Sequence, residues 1–455
     1  NMLEGTFALA IISIYHPDQI FCARRESPLM LGIGDELKFV GSDFNAFIDY
    51  TKNAIIIGDG EYAILSRDSY VVKSYLTQKE VSKSITKIEW DNEAAKKGGY
   101  PHYMLKEIYE QPQTITTALE LDSASLDEFV GMIQKSENVY LVGVGTTFYV
   151  SKFSKYLFSS LADQFIPAIS SDEFTSLATV DKKTLVLTTS QSGETFDTIS
   201  ALKYAKSKGA KTAAIVNVMG SSISRLVDKV ILQGSGPEIC VISTKAAFTQ
   251  MVIMMLLALR LGLKRKVLAR KEFDESLAAL RELPGIIQSI LNERSGFIHR
   301  VAHNYAKIKN WLYLGRGIYY PVALESALKM KEVAYVHAEG MSGGFLKHGT
   351  LAMIDNEVNS IVFVPPCEDK ELYEATLRSV EEIRARSGFV FGIHFDEKGR
   401  NKGLFNEELI LPNVSPLVAP LIQLVIGQLF AYFTAISLKR NIDKPRSLAK
   451  SVTVG

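Results

Sequence analysis

Cysteine is scarce in this 455-residue chain: Cys22, Cys240 and Cys367 lie far apart and in no CxxC spacing. That argues against a disulfide framework or a zinc knuckle, and a reducing, cytoplasmic setting is the expectation. Net charge is equally slight, with 51 Lys+Arg against 50 Asp+Glu giving +1. The chain lacks the basic surplus of a dedicated nucleic-acid or anionic-membrane binder, although a local basic cleft for a small anion is compatible with it. GxGxxG and GxxxxGK[ST] are both missing, so neither a dinucleotide nor a P-loop nucleotide is expected. Asn1-Met2 reads as a scar ahead of a start Met, and the following LEGTFALAIISIYHPD lacks the basic start and small-residue cleavage site of a signal peptide. Long apolar runs are few. VAPLIQLVIGQLFAYFTAISL (418–438) is long enough to span a bilayer, but Gln423, Gln428 and Pro420 interrupt it. It reads as a buried core helix, as does the shorter MVIMMLLALRLGL (251–263), and no membrane partner is expected.

What is present is an ordinary globular composition, 47% apolar and 22% charged. At roughly one domain per 150 residues this length suggests about three domains. The first ninety or so residues carry short apolar runs (FALAII, IFCAR, LMLGI, AIIIGD, EYAILS, VVKSYL) between turn signals such as HPD, GDE and GDGE. This pattern predicts a β-rich unit over 1–91, with GDGE as a hairpin turn. Residues 92–119 read as a polar, Gly/Pro-punctuated connector running into a short helix. From about residue 120 strands and helices alternate, which predicts parallel α/β sheets. VYLVGVG (139–145), TLVLTTS (184–190) and KTAAIVNV (211–218) are strands of one such unit, over 120–275. WLYLGRG (311–317), SIVFVPP (360–366) and FVFGIHF (389–395) belong to a second, over 276–439. Gly143 and Gly315 stand at matching strand ends 172 residues apart, so the two doubly wound units are read as siblings. A tail, 440–455, follows.

Ligands of open parallel sheets bind beyond the carboxyl ends of strands, where helix N-termini present free N–H groups. Thr147, Ser190, Ser192 and Thr195, with Gly193 and exposed backbone donors, form a candidate anion cradle suited to a phosphate monoester. A plain N-cap is the competing reading, but SQSGET holds more polar groups than a cap needs. In the second sibling Glu325, Lys329 and Glu332 follow spacings of four and three on one helix, hence one face. Alone they would suit a surface salt-bridge ladder. The GxG strand end before them, an otherwise apolar face, and the HAEG and KHG segments read as a Gly-rich loop after them suggest a buried carboxylate poised as general base. Lys450, among small and apolar residues of PRSLAKSVTVG, is a weaker candidate for a Schiff-base amine.

Taken together, SQSGET, STKA, LGRG…ALESALKMKE, HAE, LKHG and PRSLAKSVTV, with YPHYMLKEIYEQP at 100–112, resemble the isomerase part of the glutamine–fructose-6-phosphate aminotransferase (glucosamine-6-phosphate synthase) family. That part is two tandem sugar isomerase (SIS) domains and a C-terminal active-site tail. The β-rich start resembles the later half of the family's N-terminal-nucleophile glutaminase domain. The resemblance implies that Thr147, Ser190, Gln191, Ser192 and Thr195 hold a sugar phosphate, with Thr146, Val241 and Ser243 lining the sugar. It implies that Glu332 shuttles a proton between C1 and C2. Lys329 would support charge at the C1 and C2 oxygens, and Lys450 would form a Schiff base with fructose 6-phosphate. His348 would assist ring opening from the neighbouring subunit of a homodimer. Neither metal nor cofactor is implied; glucosamine 6-phosphate is the product.

Departures from the family pattern are equally specific. The family's nucleophilic N-terminal Cys has no counterpart in NMLEG, and Cys22 has no free α-amine, so it is expected in the core and glutamine hydrolysis is expected to be nil. Ammonia or a separate glutaminase polypeptide would then supply nitrogen. GELKHGP is here GFLKHGT, placing Phe345 beside His348; CGTS is represented by Val144 and Thr147; and the final residue is Gly455. Two other readings compete: a SIS-type glucosamine-6-phosphate deaminase, and a non-catalytic sugar-phosphate-binding protein. The β-rich start and connector argue against the first, and the retention of Glu332, His348 and Lys450 against the second.

Overall fold

A run such as TLVLTTS, Leu and Val flanked by small Thr and Ser, buries every side chain only in a sheet covered on both faces, and that is where the chain places it. The computed structural model describes residues 3, 7–25, 27–42, 44–87, 97–395 and 403–450; the connector's start (92–96) and the tail's last residues, including Gly455, lie outside them.

The β-rich unit forms two antiparallel sheets, ordered β1-β2-β6-β7 and β4-β3-β5-β8. The strands are β1 (Phe7–Ser13), β2 (His16–Arg25), β3 (Met30–Ile33), β4 (Lys38–Gly41), β5 (Asn53–Ile56), β6 (Glu61–Ser66), β7 (Tyr70–Ser74) and β8 (Thr86–Lys87). Cys22, Ala63, Leu65 and Val72 of one sheet pack with Leu31 and Ile55 of the other. The GDGE segment turns, with Glu61 N–H donating to Gly58 C=O at 3.3 Å. It is not a hairpin: β5 and β6 belong to different sheets, so the segment is a crossover between them. Strand β4 joins β3 through the GDE turn as an antiparallel neighbour.

The connector runs into helix as its sequence predicts, but into two helices rather than one. Residues Tyr103–Tyr109 (α1) and Gln111–Leu119 (α2) are helices whose Met104, Lys106, Glu107, Ile108, Gln111 and Ile115 are buried. Polar residues enter the core there because partners await them. Gln111 Nε2 donates to Gln428 Oε1 at 2.5 Å, and Lys106 pairs with Glu110 at 3.2 Å.

Each sibling is a five-stranded parallel sheet with the same order. The first runs β10-β9-β11-β12-β13 and the second β15-β14-β16-β17-β18. The first comprises β9 (Asn138–Gly143), β10 (Ala168–Ser170), β11 (Thr184–Ser190), β12 (Lys211–Val216) and β13 (Lys229–Leu232); the second β14 (Asn310–Gly315), β15 (His337–Ser342), β16 (Val358–Phe363), β17 (Phe389–Phe395) and β18 (Glu407–Leu411). The 172-residue offset lands on the last residues of β9 and β14. Both must be Gly: a Cβ on Gly143 would stand 2.6 Å from the Thr147 carbonyl carbon, and one on Gly315 2.1 Å from the Tyr319 oxygen. Each glycine thus lets the following helix, α4 (Thr146–Ala162, after α3, Ser123–Lys135) or its sibling, start against the strand end.

Further helices are α5 (Phe196–Ser207), α6 (Lys245–Lys264), α7 (Arg270–Asn304), α8 (Tyr319–Lys329), α9 (Lys370–Arg384) and α10 (Ala419–Ser437). Helix α7 runs unbroken across residue 275, joining the siblings. Helices α6 and α10 are long and apolar enough to cross a membrane by length and composition, but 89% of each apolar window is buried inside the protein. One hydrophobic cluster runs through α4, α6, α7, α8 and α10, so the two sheets share a core. HAEG is not loop: residues 337–342 are strand β15, parallel to β14.

Candidate active site

The cradle forms where β9 and β11, hydrogen-bonded neighbours, both end. After β9, Thr147 Oγ1 accepts the Val144 N–H and donates to the Val144 C=O, each at 3.0 Å. After β11, Ser190 Oγ accepts the Gly193 N–H at 2.9 Å and Ser192 Oγ the Glu194 N–H at 3.1 Å. Thr195 is the N-cap residue of α5 but its side chain makes no capping bond. Its hydroxyl is therefore not consumed by the helix. Gly193 has φ +68°, and a Cβ there would sit 2.1 Å from Ser221 Oγ. The loop is pinned from behind by Glu194, which accepts from Ser222 N–H at 2.7 Å and from Ser222 Oγ at 2.6 Å. The β-rich unit seats against this back side: Arg24 and Asp59 border a pocket of about 230 Å³ with Glu194, Ser222 and Arg225.

The Glu325–Lys329–Glu332 face turns inward. Lys329 and Glu325 are wholly buried; Lys329 Nζ lies 3.1 Å from Glu325 Oε1 and 2.6 Å from Glu332 Oε2. Thr146 completes the group across the sibling boundary, donating to Glu325 Oε1 at 3.2 Å and accepting from Lys329 Nζ at 2.9 Å. Burial pushes the Glu325 carboxyl up to about 7, against the pull of Lys329 and with a further push from Glu332. Burial alone would depress the Lys329 ammonium, but the two carboxylates outweigh it and hold its pKa above the usual lysine range. Past Lys329 the helix changes to a π-helical turn at Met330–Ala334 and stops at Tyr335, φ +59°. Such turns recur at functional sites; this one carries Glu332.

The tail returns to the first sibling. Tyr103 N–H donates to Asp443 at 2.9 Å and Lys97 pairs with the same carboxylate at 2.5 Å. Arg446 N–H donates to Tyr335 Oη at 2.7 Å, and Arg446–Leu448 share a pocket of about 390 Å³ with Glu332, Tyr335 and His337. Beyond it Lys450 Nζ donates to Cys240 C=O at 2.6 Å and to Glu238 Oε2 at 3.2 Å. Glu238, fully buried, accepts from Ser243 Oγ at 3.0 Å and from the Thr244 and Ala246 N–H groups that open α6. Burial would raise the Glu238 carboxyl, yet Lys450, those N–H groups and Lys245 keep it below the usual carboxylate range. Val241 lies between these contact points in the chain.

The structure thus joins Thr146, Lys329 and Glu332 in one cluster, Ser243 and Lys450 in a second, and Thr147, Ser190, Gln191, Ser192 and Thr195 along the strand-end loops. His348 joins none of them. It is exposed on a short 3₁₀ turn, and among the described residues its ring meets that of Phe345 edge-on at 6.5 Å. Glu238 was missed in the sequence, its one signal being an acid set just before an apolar run and STKA. Glu107, fully buried beside it, was quoted only as part of a motif. Cys22 is buried as expected, and burial pushes its thiol up to about 11.

The SIS domain profile matches residues 132–260 and 304–390. Glutamine–fructose-6-phosphate aminotransferase [isomerizing] of Methanococcus maripaludis is 40% identical over 454 residues, covering 99% of this chain and 74% of that protein. The chain belongs to the glutamine–fructose-6-phosphate aminotransferase family. The Thermococcus kodakarensis member of that family is 39% identical over 462 residues, covering 100% of the chain and 75% of its own length. Among solved structures, the C-terminal domain of glucosamine-fructose-6-phosphate aminotransferase from Francisella tularensis superposes with a TM-score of 0.71 at 31% identity, over 77% of this chain and 100% of that one. Glucosamine-6-phosphate deaminase from Thermotoga maritima shares the fold, with TM-score 0.60 and 20% identity over 77% of this chain and 99% of that one.

Proposed function

We propose that this chain binds fructose 6-phosphate and carries the isomerase and amino-transfer half of glucosamine 6-phosphate formation. The observation that carries this reading is the buried Glu325–Lys329–Glu332–Thr146 cluster, because a wholly buried Lys between carboxylates is costly unless chemistry uses it. The Ser190–Thr195 loop and Thr147 take the phosphate through hydroxyls and helix N-terminal N–H groups. Lys450 Nζ attacks C2 of the open-chain ketose, and loss of water leaves an imine. Ammonia then displaces Lys450 from C2 by transimination, freeing the lysine amine. Glu332 removes the proton from C1 of the resulting ketimine and returns it to C2, leaving the 2-amino aldose. Lys329, kept positive by its two partners, offsets negative charge developing on the sugar oxygens. His348 acts in the site of a second copy, which makes the working unit a homodimer. Nitrogen enters as ammonia; Cys22, buried and held protonated, is not the thiol that would release it from glutamine.

The test is to incubate the protein with fructose 6-phosphate, with and without ammonium, and follow glucose 6-phosphate and glucosamine 6-phosphate. Borohydride should trap the ketose on Lys450, and Lys450→Ala should abolish trapping. Tight binding of the sugar phosphate without turnover would leave a binding protein; unchanged trapping in Lys450→Ala would remove Lys450 from the reaction.

A further inference from the structure

Glu332 sits on the π turn of the second sibling, whereas the Lys450 amine rests against Glu238 and Cys240 of the first. Among the described residues no hydrogen bond or ion pair joins Glu332 to Lys450. What joins the turn to the tail is Tyr335. Its Oη accepts the Arg446 N–H at 2.7 Å, and the Arg446 guanidinium lies 4.5 Å from its ring centre. The Arg440 guanidinium lies 5.3 Å from the same ring, and Arg440 Nε donates to the Ala334 C=O at 3.2 Å. Among the described residues, every hydrogen bond and cation–π contact between turn and tail is made by Tyr335 or by Ala334 beside it. Tyr335 makes them at φ +59°. L residues enter that region at a cost and keep it only where their surroundings hold them there. A turn that merely ended a helix would be served better by glycine.

The position of this contact along the chain gives it a consequence. To reach a ketone carbon the Lys450 amine must give up the Cys240 C=O and Glu238. Arg446, held by Tyr335, is then the last residue ahead of the amine that a described hydrogen bond fastens. The four residues from it to Lys450 span at most about 14 Å. We propose that Tyr335 is a positioning residue: it latches the tail to the π turn, so that the Lys450 amine stays within reach of the carbon next to the one that Glu332 serves. This rests on the reading of Lys450 and Glu332 as the amine and the base of one site. The latch borders the cleft of about 390 Å³ that Arg446, Ser447 and Leu448 share with Glu332.

The experiment reads the latch and the reaction separately, in the full chain. Tyr335→Phe removes the Oη acceptor and keeps the ring. Tyr335→Gly removes the acceptor and both ring contacts, and relieves the backbone at this φ. Without sugar, trypsin cleavage after Arg446, read by mass spectrometry of the released tail, follows local opening of the tail. It should quicken about fivefold in the Phe variant and about thirtyfold in the Gly variant, with cleavage elsewhere unchanged. Turnover of saturating fructose 6-phosphate with ammonium should slow, by more in Gly than in Phe. The Kd of sorbitol 6-phosphate, which has no carbonyl for the amine to meet, should stay within about twofold of the parent's. Tail cleavage unchanged in both variants overturns the latch. Faster cleavage with parental turnover overturns the positioning role alone. Sorbitol 6-phosphate affinity lost in step with turnover overturns it too, because general damage to the site would then be the cause. If the Gly variant fails to fold, Phe decides on the same readouts. A parent that neither traps fructose 6-phosphate under borohydride nor turns it over fells the reading of the site and the positioning role with it, while tail cleavage still answers for the latch.

Discussion

Lys329 holds two carboxylates and a threonine hydroxyl with one ammonium, entirely out of water. Lys329→Met should destabilise the fold by roughly 3–5 kcal/mol, the usual cost of leaving a buried charge without its partner. The loss should grow with pH. The Glu325 carboxyl already sits near 7 in the fold against an ordinary 4.5. A raised acid contributes full stability below its unfolded value and loses it as pH rises through the folded one. Without Lys329 that folded value climbs further, so denaturant midpoints of the variant should lie closest to the parent in acid and fall away towards pH 8. A deficit independent of pH would refute this account. The Glu325–Lys329–Glu332 face was legible because spacings of four and three survive in any helix. Its burial was not legible from spacing, and needed the neighbouring motifs. Glu107 and Glu238 were illegible for a plainer reason: a single acid in a sequence is solvated by default, and the backbone N–H groups that receive these two come from distant segments.

Elements were legible where one rule dominated. All-apolar runs ending in glycine became parallel strands, because only a doubly covered sheet buries both faces. GDGE failed as a hairpin because turn chemistry specifies a reversal, not which sheet receives the next strand. A short helix in the connector was legible, but its burial was hidden by Glu107 and Gln111, polar residues buried through partners elsewhere in the chain. HAEG reads as loop because His, Glu and Gly carry no strand pattern; it becomes a strand because the π turn ends the helix early and lets it pair with β14. The cradle loop offers the sharpest test at this scale. Gly193→Ala places a Cβ against Ser221 Oγ at a backbone angle that L residues avoid. It should cost about 1–3 kcal/mol and weaken sugar-phosphate binding at least tenfold by calorimetry. Unimpaired binding would mean that the loop does not form the cradle.

At the scale of the whole molecule, two sheets of one strand order carry different candidate groups. The first ends in hydroxyl-rich loops, the second carries the Glu325–Lys329–Glu332 face, and the tail brings Lys450 back to the first. The sequence period exposed the siblings but not their common core, which depends on α6, α7 and α10 packing between the sheets. His348 lies on the surface apart from both clusters, and the proposed reading assigns it to the site of a second copy. Mixing His348→Ala with Lys450→Ala protomers, after partial unfolding and re-association, should therefore restore up to about a quarter of parental isomerase activity if protomers pair at random in equal amounts. Each mixed dimer then holds one intact site and one doubly damaged one. Failure of the mixture to exceed either variant alone would place His348 within its own subunit's site.

The tail deserves a kinetic description as well as a structural one. It is fastened at Asp443 by Lys97 and the Tyr103 backbone, then runs past Tyr335 to Lys450. An amine on so short a leash is a tethered reagent, present at an effective concentration on the order of millimolar or above whatever the amount of protein in solution.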